Sequence, residues 1–94
     1  MPLMPLPRLL DDARRHGYAL GYFESWDSYS FEAVLDAARA EQAPVIVGFG
    51  ATMLADPWLG DRGIPFLGAM GRALLEGCPV PVAFLLNETH TLEQ

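Results

Sequence analysis

Apolar positions along this chain switch repeatedly between a helical and a strand period. Leu6, Leu9, Leu10 and Ala13 recur at helical spacing behind Pro7, which is tolerated in a first helical turn because its missing N–H needs no partner there. Arg14, Arg15 and His16 fill the last turn, where positive charge suits the helix dipole, and Gly17 fits the left-handed residue that ends a helix. His16 therefore reads as a solvated helix end and not as a catalyst. Residues 18–23 form a short aromatic and aliphatic run, the first expected strand, which breaks into a polar loop over 24–28 around Trp26. Asp27 or Ser28 can cap the next helix. Its apolar face is Phe31, Val34, Leu35 and Ala38, with Glu32, Asp36, Arg39 and Glu41 on the solvated side and Pro44 closing the connection.

Residues 45–49 are the second strand, β-branched at its start. Gly48 and Gly50 follow in alternation, and glycine at a strand's carboxyl end either makes a tight turn or lets a ligand approach closely. Residues 51–63 form a longer connection around Asp56-Pro57-Trp58, with room for a turn of helix but weak periodicity. Pro65 is expected to open the next helix, with Leu67, Met70, Gly71 and Leu74 on one face and Gly77 at its end. Residues 80–86 are a continuous apolar run, the pattern of a strand buried on both faces of a parallel sheet.

Strands alternating with helices imply parallel pairing through right-handed crossovers, so the three strand ends share one side of the sheet. That rim receives Glu24, Gly50, Asn87 and Glu88, at the strand ends where ligands sit in α/β folds. Asn87, Glu88, Thr89 and His90 are expected just past the third strand. Thr91 reads as a helix N-cap, with Gln94 completing a capping box, so the last residues look like the start of a further helix. On that pattern residues 1–94 form a single partial domain, the front part of something larger.

Composition narrows the partners. Of 94 residues, 51% are apolar and 19% charged, the balance of a globular chain. The net charge of −6 argues against a nucleic-acid backbone or an anionic membrane surface. The amino terminus lacks a basic region followed by a long apolar run, so no signal peptide and no membrane span is expected, and the expected location is cytoplasmic. Cys78, the single cysteine, lies in a helix-to-strand turn and reads as a small packed residue; a disulfide or cysteine zinc cluster within the chain is excluded. There is no phosphate-binding glycine loop with lysine, no G-x-G-x-x-G and no nucleophile elbow. Glu88 and His90 are both potential metal ligands, but two ligands in one loop do not make a site.

The chain as a whole resembles the N-terminal part of the class II, zinc-dependent ketose-bisphosphate aldolases. Residues 9–20 look like that family's opening helix and first strand, and Tyr22-Phe23-Glu24 stands where the family usually writes Ala-Phe-Asn. Residues 30–38 are similar to its first barrel helix, 43–47 to its second strand, and 80–86 to the strand leading to its catalytic Asp-His pair. The resemblance implies an α/β fold, the first three βα units of a (β/α)8 barrel with parallel strands and the barrel incomplete. It implies a protein of sugar-phosphate metabolism whose family cleaves and forms ketose bisphosphates with zinc or another divalent metal.

The functional positions depart from the family pattern. The general acid/base Asp falls on Asn87, and an amide has no titratable proton near neutral pH. The adjacent zinc His falls on Glu88, the strand-one Asn on Glu24, and the strand-two Ser that helps hold a substrate phosphate on Gly50. Glu24 and Glu88 together would repel a phosphate unless a cation intervened. Two readings follow: an aldolase-like lyase in which Glu88 ligates metal and Asn87 hydrogen-bonds substrate, or a non-catalytic aldolase-like protein that binds a ligand or partner. By itself the chain is expected neither to bind zinc tightly nor to cleave fructose 1,6-bisphosphate, and to self-associate or to need a partner that completes the barrel.

Overall fold

The computed structural model describes residues 3–51 and 55–89. Its elements run α1 (Leu6–His16), β1 (Tyr22–Ser25), α2 (Ser28–Glu41), β2 (Val45–Gly50), α3 (Asp56–Trp58), a π-helical turn (Leu59–Gly63), α4 (Ile64–Leu75) and β3 (Val82–Asn87). The three strands form one sheet in the order β1-β2-β3, and both pairings are parallel. Tyr22 pairs with Ile46, Ile46 with Ala83, and Gly50 with Asn87. This is the α/β arrangement expected from the alternating pattern; the sheet is open along β1, while the outer edge of β3 is bridged at its start, where Leu3 pairs with Val82 and the Met4 N–H donates to the Val82 carbonyl at 2.8 Å.

Local chemistry sets the boundaries. Gly17 closes α1 in the left-handed region at φ 71°. Asp27, not Ser28, caps α2: its carboxylate accepts from the Ser30 N–H at 2.8 Å, and the Ser30 hydroxyl accepts from the Asp27 N–H at 3.2 Å, a reciprocal capping box. The Ser30 N–H, and the Ser30 hydroxyl 2.9 Å from the same oxygen, stabilise the ionised carboxylate and hold Asp27 below its ordinary range.

The first strand lies further along than the 18–23 expected from its apolar run. Tyr18 turns back to α1, where its hydroxyl donates to Asp12 at 2.6 Å, and pairing with β2 starts only at the Gly21 carbonyl. Glu24 consequently sits inside β1 and not in the loop after it. Asn87 is likewise the last residue of β3 and not the first beyond it, because it still pairs with Gly50; the strand starts at Val82 and not at residue 80.

The helix assigned to Pro65 also begins earlier. Pro65 lacks an N–H and, in an uninterrupted α-helix, would leave a carbonyl in the turn before it unpaired. Just before Pro65, the Ile64 N–H reaches back five residues to the Leu59 carbonyl, a π turn that joins α3 to α4.

Two apolar clusters lie on opposite faces of the sheet. The larger one, between sheet and α2/α4, contains Phe31, Leu35, Val45, Val47, Phe49, Leu67 and Val82. Its centre is an aromatic trio: Phe31 stacks on Phe49 at 5.2 Å, and Phe84 meets both rings edge-on at 5.7 and 6.0 Å. Phe31 and Phe49 are almost fully buried, each contributing about 1.5–3 kcal/mol through that burial. Gly71 lets α4 close on the trio, since a Cβ there would overlap the Phe84 ring.

On the other face Leu9 of α1 packs on Ile46 and Ala83, flanked by Leu6, Leu20, Tyr22 and Leu85. Leu10, at helical spacing with Leu9, is nearly half exposed and turns away from that contact. Helix α1 thus covers the amino-terminal half of this inner face. The carboxyl-terminal half, bearing Glu24, Gly48, Gly50 and Asn87, is left to the site.

Candidate functional site

Strand alternation puts Tyr22 and Glu24 on the same face of β1, with Phe23 and Ser25 on the other. Glu24 pairs in register with Gly48, and Gly50 pairs with Asn87. Glu24 and Asn87 are separated by the whole of β2, yet their side chains meet: Asn87 Nδ2 donates to Glu24 Oε1 at 3.2 Å. The Tyr22 hydroxyl donates to the same oxygen at 3.3 Å.

Gly50 makes that span possible. A Cβ on Gly50 would stand 2.5 Å from both Cδ and Oε2 of Glu24, well inside contact distance. The carboxylate therefore lies across the glycine, in space that any side chain would fill. Gly48 is constrained differently: a Cβ there would strike the Leu85 carbonyl, so its role is close strand packing.

Three expected rim residues, Glu24, Gly50 and Asn87, are thus brought together. Glu88 follows immediately in a left-handed conformation at φ 54° and is exposed. Its charge acts on the Tyr22 ring, but no hydrogen bond joins it to the cluster among the described residues. His90, Thr91 and Gln94 lie outside the described residues. His16 is the exposed helix end expected, with Nδ1 3.0 Å from the Asp12 carbonyl oxygen. Cys78 is buried in the turn before β3.

Tyr22 was not singled out from the sequence. Its only sequence signal is position, two residues before Glu24 and so on the same face. Burial, then the charge and hydrogen bond of Glu24, then the charge of Glu88, raise its phenol to about 12. Ser25, on the opposite face, is fully buried, and its hydroxyl has no hydrogen-bond partner among the described residues.

The comparisons with known proteins agree with this architecture. The family model for fructose-bisphosphate aldolase class-II matches residues 4–94. Over 95 residues the chain is 35% identical to the probable fructose-bisphosphate aldolase of Bacillus subtilis, covering 99% of this chain and 32% of that protein. It is 36% identical over 90 residues to the 6-phospho-5-dehydro-2-deoxy-D-gluconate aldolase of the same organism, covering 96% of this chain and 30% of that protein. Among solved structures the YdjI aldolase from Escherichia coli K12 superposes with a TM-score of 0.74 at 24% identity, over 97% of this chain and 34% of that one. The chain belongs to the class II fructose-bisphosphate aldolase family. It spans about a third of the length of the curated relatives it matches. Its three strands and their helices are the opening βα units of the aldolase barrel.

Members of this family are in general metal-dependent, but the described residues do not by themselves fit a zinc site. No three His, Cys, Asp or Glu side chains converge among them. The one half-buried carboxylate at the rim, Glu24, already accepts two hydrogen bonds on Oε1. A catalytic zinc ordinarily takes three protein ligands. No helix among the described residues is long and apolar enough to cross a membrane.

The arrangement makes a titration prediction. In the folded chain the Tyr22 phenol should ionise near pH 12 against an ordinary value of 10. The folded state then holds the proton more tightly than the unfolded state. The stabilisation is fully present below pH 10 and is lost as pH rises through about 12. In ring-carbon NMR titration, Glu24→Gln should lower the Tyr22 midpoint only part of the way towards 10, because burial remains. A Tyr22 midpoint unmoved by Glu24→Gln would contradict the contact.

Proposed function

We propose that this chain is the opening third of an aldolase-like lyase barrel, and that its rim binds the hydroxyl-bearing portion of a sugar phosphate. The observation supporting this is the convergence of Glu24, Gly50 and Asn87 at the carboxyl ends of three parallel strands. A carboxylate oriented by an amide and a phenol suits hydroxyl groups, which donate to its free oxygen and accept from the second N–H of the amide. The charges of Glu24 and Glu88 repel a phosphate, so the phosphate group is bound elsewhere in the completed barrel.

Aldol cleavage removes a hydroxyl proton, converts that oxygen to a carbonyl, and leaves the electron pair of the broken carbon–carbon bond on the other fragment as an enolate. Holding that proton is the one step these residues can supply. Asn87, placed by family resemblance at the acid/base position, cannot do so and serves instead as a hydrogen-bonding group. We further propose that zinc, where it acts in the completed barrel, takes its ligands chiefly from outside the described residues, with Glu88 and His90 as candidate contributors.

Amide NMR of the chain tests the rim. Millimolar D-fructose or fructose 1,6-bisphosphate should shift signals of Tyr22 to Ser25, Gly50 and Asn87, while inorganic phosphate should not. Sugar-induced shifts absent from the rim would contradict the reading and favour a non-catalytic interaction protein. Turnover by the isolated chain, or submicromolar zinc binding by calorimetry, would contradict the assignment of the remaining machinery to the rest of the barrel.

The open sheet also bears on association. Beside β1 and α2 lies an apolar groove of about 490 Å³, bordered by Gly21, Phe23, Val34, Ala37 and Pro44, with Phe23 half exposed. In a closed barrel the neighbouring strand and helix cover such an edge. Isolated, the chain should self-associate through it. A strictly monomeric, cooperatively folding species in sedimentation at high micromolar concentration would overturn this.

A further inference from the structure

Three positions at the rim make sense only together. Glu24 is long enough to cross β2. Gly50 leaves the space in which its carboxylate lies. Asn87 presents an N–H to the oxygen that arrives. Each fails without the others. A side chain at 50 would evict the carboxylate. An acidic residue at 87 would set two carboxylates at hydrogen-bond distance, and like charges so close cannot both ionise without a large penalty.

From this geometry we propose that Glu24, Gly50 and Asn87 are one interlocked unit, in which the rim's working carboxylate stands on strand one and Asn87 and Tyr22 are its positioning residues. This rests on the sugar-binding reading above and deepens it. Position 87 supplies orientation and not a proton. The proton-exchanging group is Glu24, whose Oε1 is held by Tyr22 and Asn87 while Oε2 lies over Gly50 and accepts no hydrogen bond from the described residues. That second oxygen is the acceptor for a ligand hydroxyl.

The surroundings leave the charge on Glu24 little competition. On β1 the other titratable group facing it is Tyr22, raised well above neutral pH. On β2 the inner face is Ile46, Gly48 and Gly50, which carry no charge. Just beyond β3, Glu88 is exposed and left-handed, outside the hydrogen-bonded cluster. Helix α1 meets this face through Leu6 and Leu9 at the far end of the strands.

The test is a cycle in the 94-residue chain: Glu24→Gln, Asn87→Asp, and both together. Denaturant midpoints are followed from pH 4 to 8, and D-fructose binding is followed by amide NMR. Asn87→Asp alone should lower the midpoint progressively as pH rises through the carboxylate range. The double variant, which restores one carboxylate facing one amide with the order reversed, should recover most of that loss. Glu24→Gln alone should weaken D-fructose binding roughly tenfold, the effect of removing a hydrogen bond to a charged group. Asn87→Asp tolerated equally with Glu or Gln at 24 would overturn the interlock, and unchanged D-fructose binding in Glu24→Gln would overturn the role of the carboxylate.

If Asn87→Asp does not fold, Gly50→Ala probes the same span. Its methyl group should displace Glu24 and speed exchange of the Asn87 side-chain amide protons at least about tenfold; unchanged exchange would overturn the proposal. A chain whose rim ignores D-fructose altogether refutes the sugar-binding reading, whereas the stability cycle reports on the interlock regardless.

Discussion

The rim of this sheet depends on a missing side chain. Gly50 stands between a carboxylate on β1 and an amide on β3, and the carboxylate that meets the amide at 3.2 Å lies in the space a Cβ on Gly50 would take. Tyr22 has its hydroxyl on the same oxygen and its pKa raised accordingly, with burial as the larger cause. Glu88 turns out into solvent in a left-handed conformation. A rim so built is acidic and rich in directed acceptors and donors, which suits hydroxyl groups and disfavours a bare phosphate.

The fold delivers these residues through two different surfaces. The outer face is closed by aromatic packing of Phe31, Phe49 and Phe84 between sheet and helices, which fixes how β2 and β3 lie. The inner face is closed only at its amino-terminal half, where Leu9 covers Ile46 and Ala83. Apolar burial therefore ends about where the polar cluster begins. The division places the site at the carboxyl ends of the strands, where open ends of parallel strands receive ligands.

Much of this was legible beforehand, for identifiable reasons. The parallel order came from strand–helix alternation, which admits few topologies. The ends of α1 and α2 were marked by Gly17 and Asp27, residues whose backbone or side-chain chemistry is local. The strand limits were less legible. Tyr18 looks like a strand residue until its hydroxyl finds Asp12, and Val80 is as apolar as Val82, but only the latter pairs with β2. The π turn before Pro65 leaves no mark in the apolar pattern, because it is a matter of one backbone bond, from the Ile64 N–H to the Leu59 carbonyl. At the site the strand–helix alternation already carries Glu24, Gly50, Asn87 and Glu88 to one rim, and the family resemblance marks each of them as a departure from its pattern. The coupling of Glu24 with Asn87 was hidden, since residues 63 positions apart meet only through the pairing of three strands. Tyr22 was missed because nothing but strand alternation marks it.

The chain belongs to the class II fructose-bisphosphate aldolase family, and its rim sets Glu24 of β1 against Asn87 of β3. The most direct measurement is the through-hydrogen-bond scalar coupling between the Asn87 side-chain nitrogen and the Glu24 carboxyl carbon in isotopically labelled protein. The account predicts a resolved coupling at neutral pH that disappears in Gly50→Ala. No detectable coupling in the unsubstituted chain, with the Asn87 amide protons exchanging as fast as those of a free side-chain amide, would contradict it.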